Sequence, residues 1–485
     1  MLRALCVAAM LALPASAGAQ FVVPDIRLRY AVEVAEGTDS AVVASHYARW
    51  GLSPQQLYGP LWSVMIPAGR IRELGDSLRS VPWFRSLALD ELAGLQVTED
   101  QAAAARPDAV PWNVSMIGAD SVHARGITGA GQVIMVMDTG LDCDHPDLNV
   151  RGGYAFDATA VVGGEPAACA SWDDTISSCK GHGTHVGGIS QTVAPAAQLF
   201  GAHVFARSTS GDCLSWTSAQ MAAIRMAADS GFVTVTSSIG GGQSGAMGFV
   251  LQDAATRNTW VAGASGNSAS IMQGNGAHPK AVSVGSVASS GVRSSFSGQG
   301  GALDVMAPGQ NIVSTMPGGN YGTKSGTSMA GPHVSGVIAL MKQRKPDLTT
   351  QQLLLAINRT ARDKGVAGWD ASYGWGIIDA LAIDDYLLAH PGTTMPPPTY
   401  TLSRSALTLS ETTTPRDNNY MVDSVIVFPE IDDWTAVIEP IPTYNGAVYG
   451  FVNNGAGQGP TGKKIVRVRI FVALGIPQYT VWLEF

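Results

Sequence analysis

Apolar and polar positions along this chain follow three successive rhythms. From residue 20 to about 100, "RYAVEV" and "LWSVMI" alternate with a period of two and predict strands. Between and after them, "AVVASHYARWG" and "AGRIRELGDSLRSV" carry apolar residues at helical spacing, each ending near Gly or Pro. The polar, Ala-rich stretch "TEDQAAAARPDA" then predicts an accessible linker. From residue 107 to about 390 the pattern changes to short, wholly apolar, β-branched runs: "GQVIMVMDTG", "AQLFGAHVF", "GFVTVTSS", "TWVAGASGN" and "AVSVGSV". The helical pattern "TSAQMAAIRMAADS" lies between two of them. Runs without a polar face predict strands buried on both sides. Their alternation with helices predicts an α/β domain, a parallel sheet with helices on both faces.

The third rhythm follows "HPGTTMPPPTY", whose three prolines predict an extended connector. Beyond it, "YMVDSVIVF", "WTAVIEPI", "AVYGFVNN", "KKIVRVRIFVAL" and "YTVWLEF" predict a small all-β, sandwich-like domain. The terminal Phe485 raises a bacterial outer-membrane barrel as an alternative. The segment is too short for one and lacks aromatic girdles. The predicted organisation is therefore a signal segment at 1–19, a small α+β unit at 20–105 and the α/β domain at 106–390. A proline-rich linker at 391–399 and a β domain at 400–485 complete the chain.

Composition narrows the function. The 485 residues carry a net charge of −8 and no basic run, which argues against a nucleic-acid partner. The N-terminal "MLRALCVAAMLALPASAGAQ" has one Arg, a short apolar run and small residues at Ala15, Ala17 and Ala19. This is the pattern of a cleavable export signal rather than a buried helix, and Cys6 lies too early for a lipid anchor. No later stretch is long and apolar enough to span a bilayer. The protein is expected outside the cytoplasm, secreted or periplasmic. Cys143, Cys169, Cys179 and Cys213 then remain, an even number that predicts two disulfides in any of three pairings.

Three stretches carry candidate chemistry. In "VIMVMDTG" an apolar strand delivers Asp138 to its carboxyl end, where ligand sites of parallel sheets gather. A lone D-T-G also marks aspartic proteases, and "ADSGF" offers a second carboxylate at Asp229, but at the end of a helical pattern. In "CKGHGTHVGG", His182 stands between glycines; His185 follows at i+3 and reads as structural, since no H-E-x-x-H metal pattern exists. In "TKSGTSMAGPHVSG", Ser328 precedes a helical pattern, with Pro332 placed in the first turn, where a missing N–H matters least. Ser328 is thus either an ordinary N-cap or a serine set beside free donors and the positive end of a helix dipole.

Together, Asp138 in "DTG", His182 in "GHGTHV" and Ser328 in "SGTSMAGPHVSG" resemble the three motifs of the subtilisin-like serine protease family, in that family's order. The connecting "VAPAAQLFGAHVF", "SSIGGG", "ASGN" and "LDVMAPG" are similar in style, and residues 20–100 resemble more loosely the family's inhibitory propeptide. The resemblance implies a serine endopeptidase made as a self-processing precursor, acting on polypeptide substrates and inhibited by its own propeptide. Ser328 would be the nucleophile, His182 the base and Asp138 its orienting partner. Asn267, with the Ser328 N–H, would form the oxyanion hole. Ser238, Ile239 and Gly240 would pair with an extended substrate. With Ala264, Ser265 and Gly266 they would wall an uncharged pocket suited to a large apolar or aromatic residue before the cut. The chemistry requires no cofactor. Relatives bind structural calcium, and by position Asp304 with the carbonyls of Pro279 and Ala281 would be its ligands; the plain alternative for Asp304 is a loop residue. Relatives also suggest the pairing Cys179–Cys213, which leaves Cys143–Cys169.

Two other functions fit the same motifs. A peptide ligase or cyclase would keep the three residues and change the acceptor. An inactive binding protein would keep the fold, but it has no need of Asp138, His182, Ser328 and Asn267 together.

Overall fold

The computed structural model describes residues 27–94, 100–107, 109–156, 161–164, 169, 171–174, 181–207, 213–240, 245–270, 272–278 and 280–390, and seven strands beyond residue 398. The expected signal segment, Cys179, Pro279 and most of the proline-rich linker lie outside the described residues.

The N-terminal unit contains β1 (Arg27–Val34), α1 (Ser40–Ala48), β2 (Gln55–Tyr58), β3 (Leu61–Pro67), α2 (Ile71–Arg79) and β4 (Phe84–Leu89). Its antiparallel sheet has the order β2-β3-β1-β4. One face packs on α1 and α2 through Val32, Val43, Tyr47, Val64, Leu74 and Leu78. Two further strands follow, β5 (Leu92–Gly94) and β6 (Asp100–Ala104). The stretch predicted as a linker therefore holds a strand. Alanine favours no strand by itself; the edge of a neighbouring hairpin supplies the hydrogen-bonding partners.

The central domain begins with β7 (Val133–Asp138), β8 (Val150–Phe156), β9 (Val161–Gly164), α3 (His182–Val193) and β10 (Gln198–His203). A hairpin of β11 (Phe205–Arg207) and β12 (Cys213–Trp216) leads to α4 (Thr217–Asp229), β13 (Thr234–Ser237), α5 (Gly245–Thr256), β14 (Trp260–Ala264) and β15 (Val282–Val287). After β16 (Val305–Pro308) come the hairpin β17 (Ile312–Met316) and β18 (Asn320–Lys324), then α6 (Thr327–Arg344), α7 (Thr350–Thr360) and α8 (Ala380–Ala389).

The main sheet has the order β16-β15-β14-β13-β7-β10-β8-β9; β9 is antiparallel to β8 and the other pairings are parallel. All six residues of β7 are buried. Ile134 and Val136 face the core that holds α3 and α6, while Val133, Met135 and Met137 face the core of α4 and α5. Burial on both faces explains the unbroken apolar runs, each such side chain contributing about 1.5–3 kcal/mol. The chain leaves β7 in one direction and returns on its other side at β13, so the switch point of the sheet lies beside Asp138.

The N-terminal unit rests on α4. Arg225 ion-pairs with Glu33 and Glu36, and buried Asp90 accepts from Arg29, the Ser218 N–H and the Ser218 hydroxyl at 2.6–2.8 Å. Beyond the linker, the described strands form a three-stranded and a four-stranded sheet. Among the described residues, no helix is long and apolar enough to cross a membrane.

Candidate active site

Asp138 is the last residue of β7, and the chain turns sharply at Gly140 (φ 111°), where a Cβ would stand 2.4 Å from the Trp172 carbonyl. That turn lets α3 come close: a Cβ on Gly183 would lie 2.1 Å from the Gly140 carbonyl. His182, the first residue of α3, thereby reaches Asp138. Its Nδ1 lies 2.7 Å from Asp138 Oδ1, which also accepts the Thr139 N–H at 2.8 Å. A carboxylate only accepts, so His182 carries its proton on Nδ1 and leaves Nε2 as a lone-pair nitrogen. Nε2 is buried with no hydrogen-bond partner.

A second carboxylate, which sequence reasoning missed, braces this pair. Asp174 is fully buried. It accepts from the Thr139 hydroxyl (2.9 Å), the Gly181 N–H (3.0 Å), the Thr184 N–H (2.9 Å) and the Thr184 hydroxyl (2.7 Å). It thus ties the exit of β7 to the first turn of α3. Burial, with a smaller contribution from nearby Asp138, pushes its carboxyl up to about 6. No sequence pattern marks it, because its partners are backbone groups and hydroxyls from separate segments. His185, one turn into α3, points the other way. Its Nε2 bridges the carbonyls of Ile312 and Gly322 at 3.1 Å, and burial pushes its pKa down to about 3.

Ser328 is the second residue of α6. Its N–H is therefore one of the donors a helix start leaves without an internal partner. Pro332 is the sixth residue of the helix, one turn deeper than the sequence suggested. Having no N–H, it cannot satisfy the Ser328 carbonyl, which accepts the Ser238 hydroxyl instead at 2.9 Å. Helices α3 and α6 pack in parallel. The Ser190 hydroxyl donates to the Pro332 carbonyl at 3.2 Å, and a Cβ on Gly336 would stand 2.5 Å from Val193 Cβ. The two helix starts, with His182 and Ser328, accordingly lie at one end of the pair.

Asn267 follows β14. Its Oδ1 accepts the Thr327 N–H and the Thr327 hydroxyl, both at 2.9 Å, which fixes the amide and turns its NH2 to the opposite side. The Thr327 hydroxyl also accepts the Gly266 N–H at 3.1 Å. A cleft at this place has Ser238, Ile239 and Gly240 on one side, Ala264 and Gly266 on the other, and Asn267, Thr327 and Ser328 at its rim. Ser265 is turned away, fully buried with its hydroxyl on the Gly298 carbonyl. Thr327 belongs to the site although sequence reasoning did not single it out.

The remaining candidates lie elsewhere. Asp229 ends α4 and ion-pairs with Arg257. Asp304 Oδ2 accepts the Ser283 N–H at 2.7 Å, and desolvation pushes its carboxyl up to about 7. Ala281 is buried nearby, before β15, and Pro279 lies outside the described residues. Cys143 and Cys169 form a disulfide, so their sulfurs, although close to Asp173, are not free to ligate metal. Cys213 is also disulfide-bonded, and Cys179 lies outside the described residues.

A parallel sheet bearing an Asp-bound His and a helix-start Ser at one end defines the serine-hydrolase class of α/β proteins. The subtilase family profile matches residues 129–376. Subtilisin E of Bacillus subtilis (strain 168) is 36% identical over 301 residues, covering 59% of this chain and 74% of the relative. M-protease of Shouchella clausii (strain KSM-K16) is 35% identical over 297 residues, covering 59% and 73%. Subtilisin Savinase of Lederbergia lenta is 36% identical over 284 residues, covering 56% and 98%. The chain belongs to the subtilase family and is a peptide hydrolase of the serine endopeptidase type.

Proposed function

We propose that this protein is an exported serine endopeptidase made as a self-processing precursor, with Asp138, His182 and Ser328 as its catalytic residues. The observation that carries the reading is the buried Asp138–His182 bond, which leaves His182 Nε2 unpartnered at the end where α6 begins with Ser328. Nε2 takes the Ser328 hydroxyl proton as the oxygen attacks the scissile carbonyl, then returns it to the leaving amine. Asp138 stabilises the imidazolium formed in between. The Asn267 NH2 and the Ser328 N–H stabilise the tetrahedral oxyanion, and water completes hydrolysis of the acyl-enzyme. No cofactor enters these steps. An extended substrate pairs with the backbone of Ser238, Ile239 and Gly240. The uncharged cleft suits an apolar or aromatic residue before the cut.

The N-terminal unit, residues 20–105, is the inhibitory propeptide in this reading, and 106–390 the catalytic domain. Supporting it, β5 pairs antiparallel with β12 (Ala93 opposite Ser215), and β6 pairs with β18 (Ala104 opposite Tyr321). The N-terminal unit thus meets the catalytic domain on two strands. The first cut falls between about Thr98 and Ala105, a range whose first two residues lie outside the described residues. Export to the periplasm or medium follows from the signal at 1–19 and agrees with the disulfides. The β domain at 400–485 is a separate unit. A calcium ion held by Asp304 and the carbonyls of Ala281 and Pro279 would supply the positive charge that a desolvated carboxylate with one N–H donor lacks.

Ser328→Ala tests the reading. Expressed without other proteases, the variant should accumulate as one chain retaining residues 20–100, while the wild type appears cut. N-terminal sequencing of each decides; normal processing of the variant would remove both the self-processing claim and the role of Ser328.

A further inference from the structure

The β17–β18 hairpin presents a cation beside the proposed site. β18 ends at Lys324, four residues before Ser328. The N-terminal unit runs first along β12 and then along β18. A chain following that course has its amino side against β12 and its leaving side against β18. In the β6–β18 ladder, Lys324 stands opposite Asp100. On its other side it pairs with Ile312, which is fully buried. Lys324 itself is 3% exposed.

A buried ammonium is costly unless a negative or acceptor group meets it. The carboxylates next to this hairpin are engaged with other groups. Asp142 accepts the Gly318 N–H at 2.7 Å, and Asp147 pairs with Arg106 and the Tyr321 hydroxyl. The ionisable neighbour on α3 is His185, whose low pKa comes first from burial and then from the Lys324 charge. Histidine offers no negative charge, so the missing complement must come from whatever strand lies on β18.

We infer that Lys324 selects substrates bearing an acidic residue on the leaving side of the cut, at the ladder position that Asp100 holds in the precursor. The inference rests on the serine endopeptidase reading and names its substrate class more closely. Strand addition supplies backbone bonds whatever the sequence, and the residue opposite a fixed side chain supplies discrimination. Opposite charges directly across an antiparallel pair attract, more strongly where water is excluded. Because β6 occupies the same ladder, a substrate reaches Lys324 only after β6 has left.

The test uses enzyme purified after expression of the full chain. Peptides share an apolar residue before the cut and carry either Glu or Gln at each of the first four positions after it. At one position Glu should raise kcat/KM about tenfold over Gln. That ratio should persist in Lys324→Arg, fall to about one in Lys324→Met and invert in Lys324→Glu. No Glu preference in the wild type, or an unchanged ratio in Lys324→Met, overturns the proposal; the wild-type result decides if a variant does not fold. Failure to cleave any peptide would instead count against the endopeptidase reading. The same peptides, fluorescently labelled, are then titrated onto sulfonyl fluoride-treated protein. Tighter binding of the Glu peptide upholds the role of Lys324, and equal affinities overturn it.

Discussion

Thr327 commits both its N–H and its hydroxyl to Asn267 Oδ1, so the orientation of one amide is set by the residue just before the proposed nucleophile. This coupling makes two substitutions comparable. Asn267→Ala should fold normally and lose about 10²–10³ in kcat with little change in KM, a magnitude known for such a donor from a subtilisin rather than obtained from this structure. Thr327→Val keeps the backbone N–H and removes the hydroxyl, so its kcat should fall by a smaller factor, about tenfold, again with KM nearly unchanged. Steady-state kinetics on one peptide compares them. Wild-type kcat in Asn267→Ala would take the amide out of the mechanism. A larger loss in Thr327→Val than in Asn267→Ala would show that the threonine acts other than through it.

Between elements, the junction that matters is the N-terminal unit on α4 and β12. Asp90 is buried there and places its carboxylate on the first turn of α4, where the helix dipole favours negative charge. Asp90→Ala removes that contact and leaves Arg29 without its partner. The N-terminal fragment should then stay less with the enzyme after processing. The measurement is the fraction of fragment that co-elutes on size exclusion, expected to drop at least several-fold from wild type. Full retention would mean that the other contacts, Arg225 with Glu33 and Glu36 among them, hold the unit alone.

At this scale the sequence was legible where burial dictates pattern. The runs read as buried strands contain β7, β10, β13, β14 and β15, and the first helix patterns contain α1 and α2. What escaped has a physical reason in each case. β6 is polar and Ala-rich, and it exists because β18 offers an edge. The strand Leu409–Arg416 is rich in Thr and contains Pro415, yet pairs along its length with Asn419–Phe428. Asp174 and Thr327 serve the site through hydrogen bonds to backbone and hydroxyl groups, which leave no spacing to read. Asp138, His182 and Ser328 were legible because glycines and a helix start surround them.

The molecule as a whole buries several ionisable groups whose titration should shape its stability. His185 is pushed down to about 3, and His278 and His333 to about 4, each mainly by burial. His333 Nδ1 donates to the Met329 carbonyl at 2.8 Å while Nε2 accepts from Asn113 at 2.8 Å, a pattern only the neutral ring satisfies. These groups stay neutral in the fold and become charged in the unfolded chain below its ordinary pKa of about 6.5. They cost stability as pH falls from about 6.5 toward 4. Asp174 and Asp304, raised to about 6 and about 7, act in the opposite sense over the same window, since the fold takes up their protons first. Three groups against two leave a net loss of about 1–2 kcal/mol per pH unit near pH 5. Melting of sulfonyl fluoride-blocked protein should therefore show Tm falling between pH 6.5 and 4.5. A Tm that rises on acidification would mean that the aspartates dominate.

The central claim is that Ser328 is a nucleophile activated by His182 within this fold. It is tested most directly by treating the purified enzyme with a fluorophosphonate and mapping the adduct by mass spectrometry. The account predicts one adduct, on Ser328, absent in Ser328→Ala and formed far more slowly in His182→Ala, where the serine keeps its place but loses its base. Labelling at another serine, or equal labelling rates with and without His182, would contradict it.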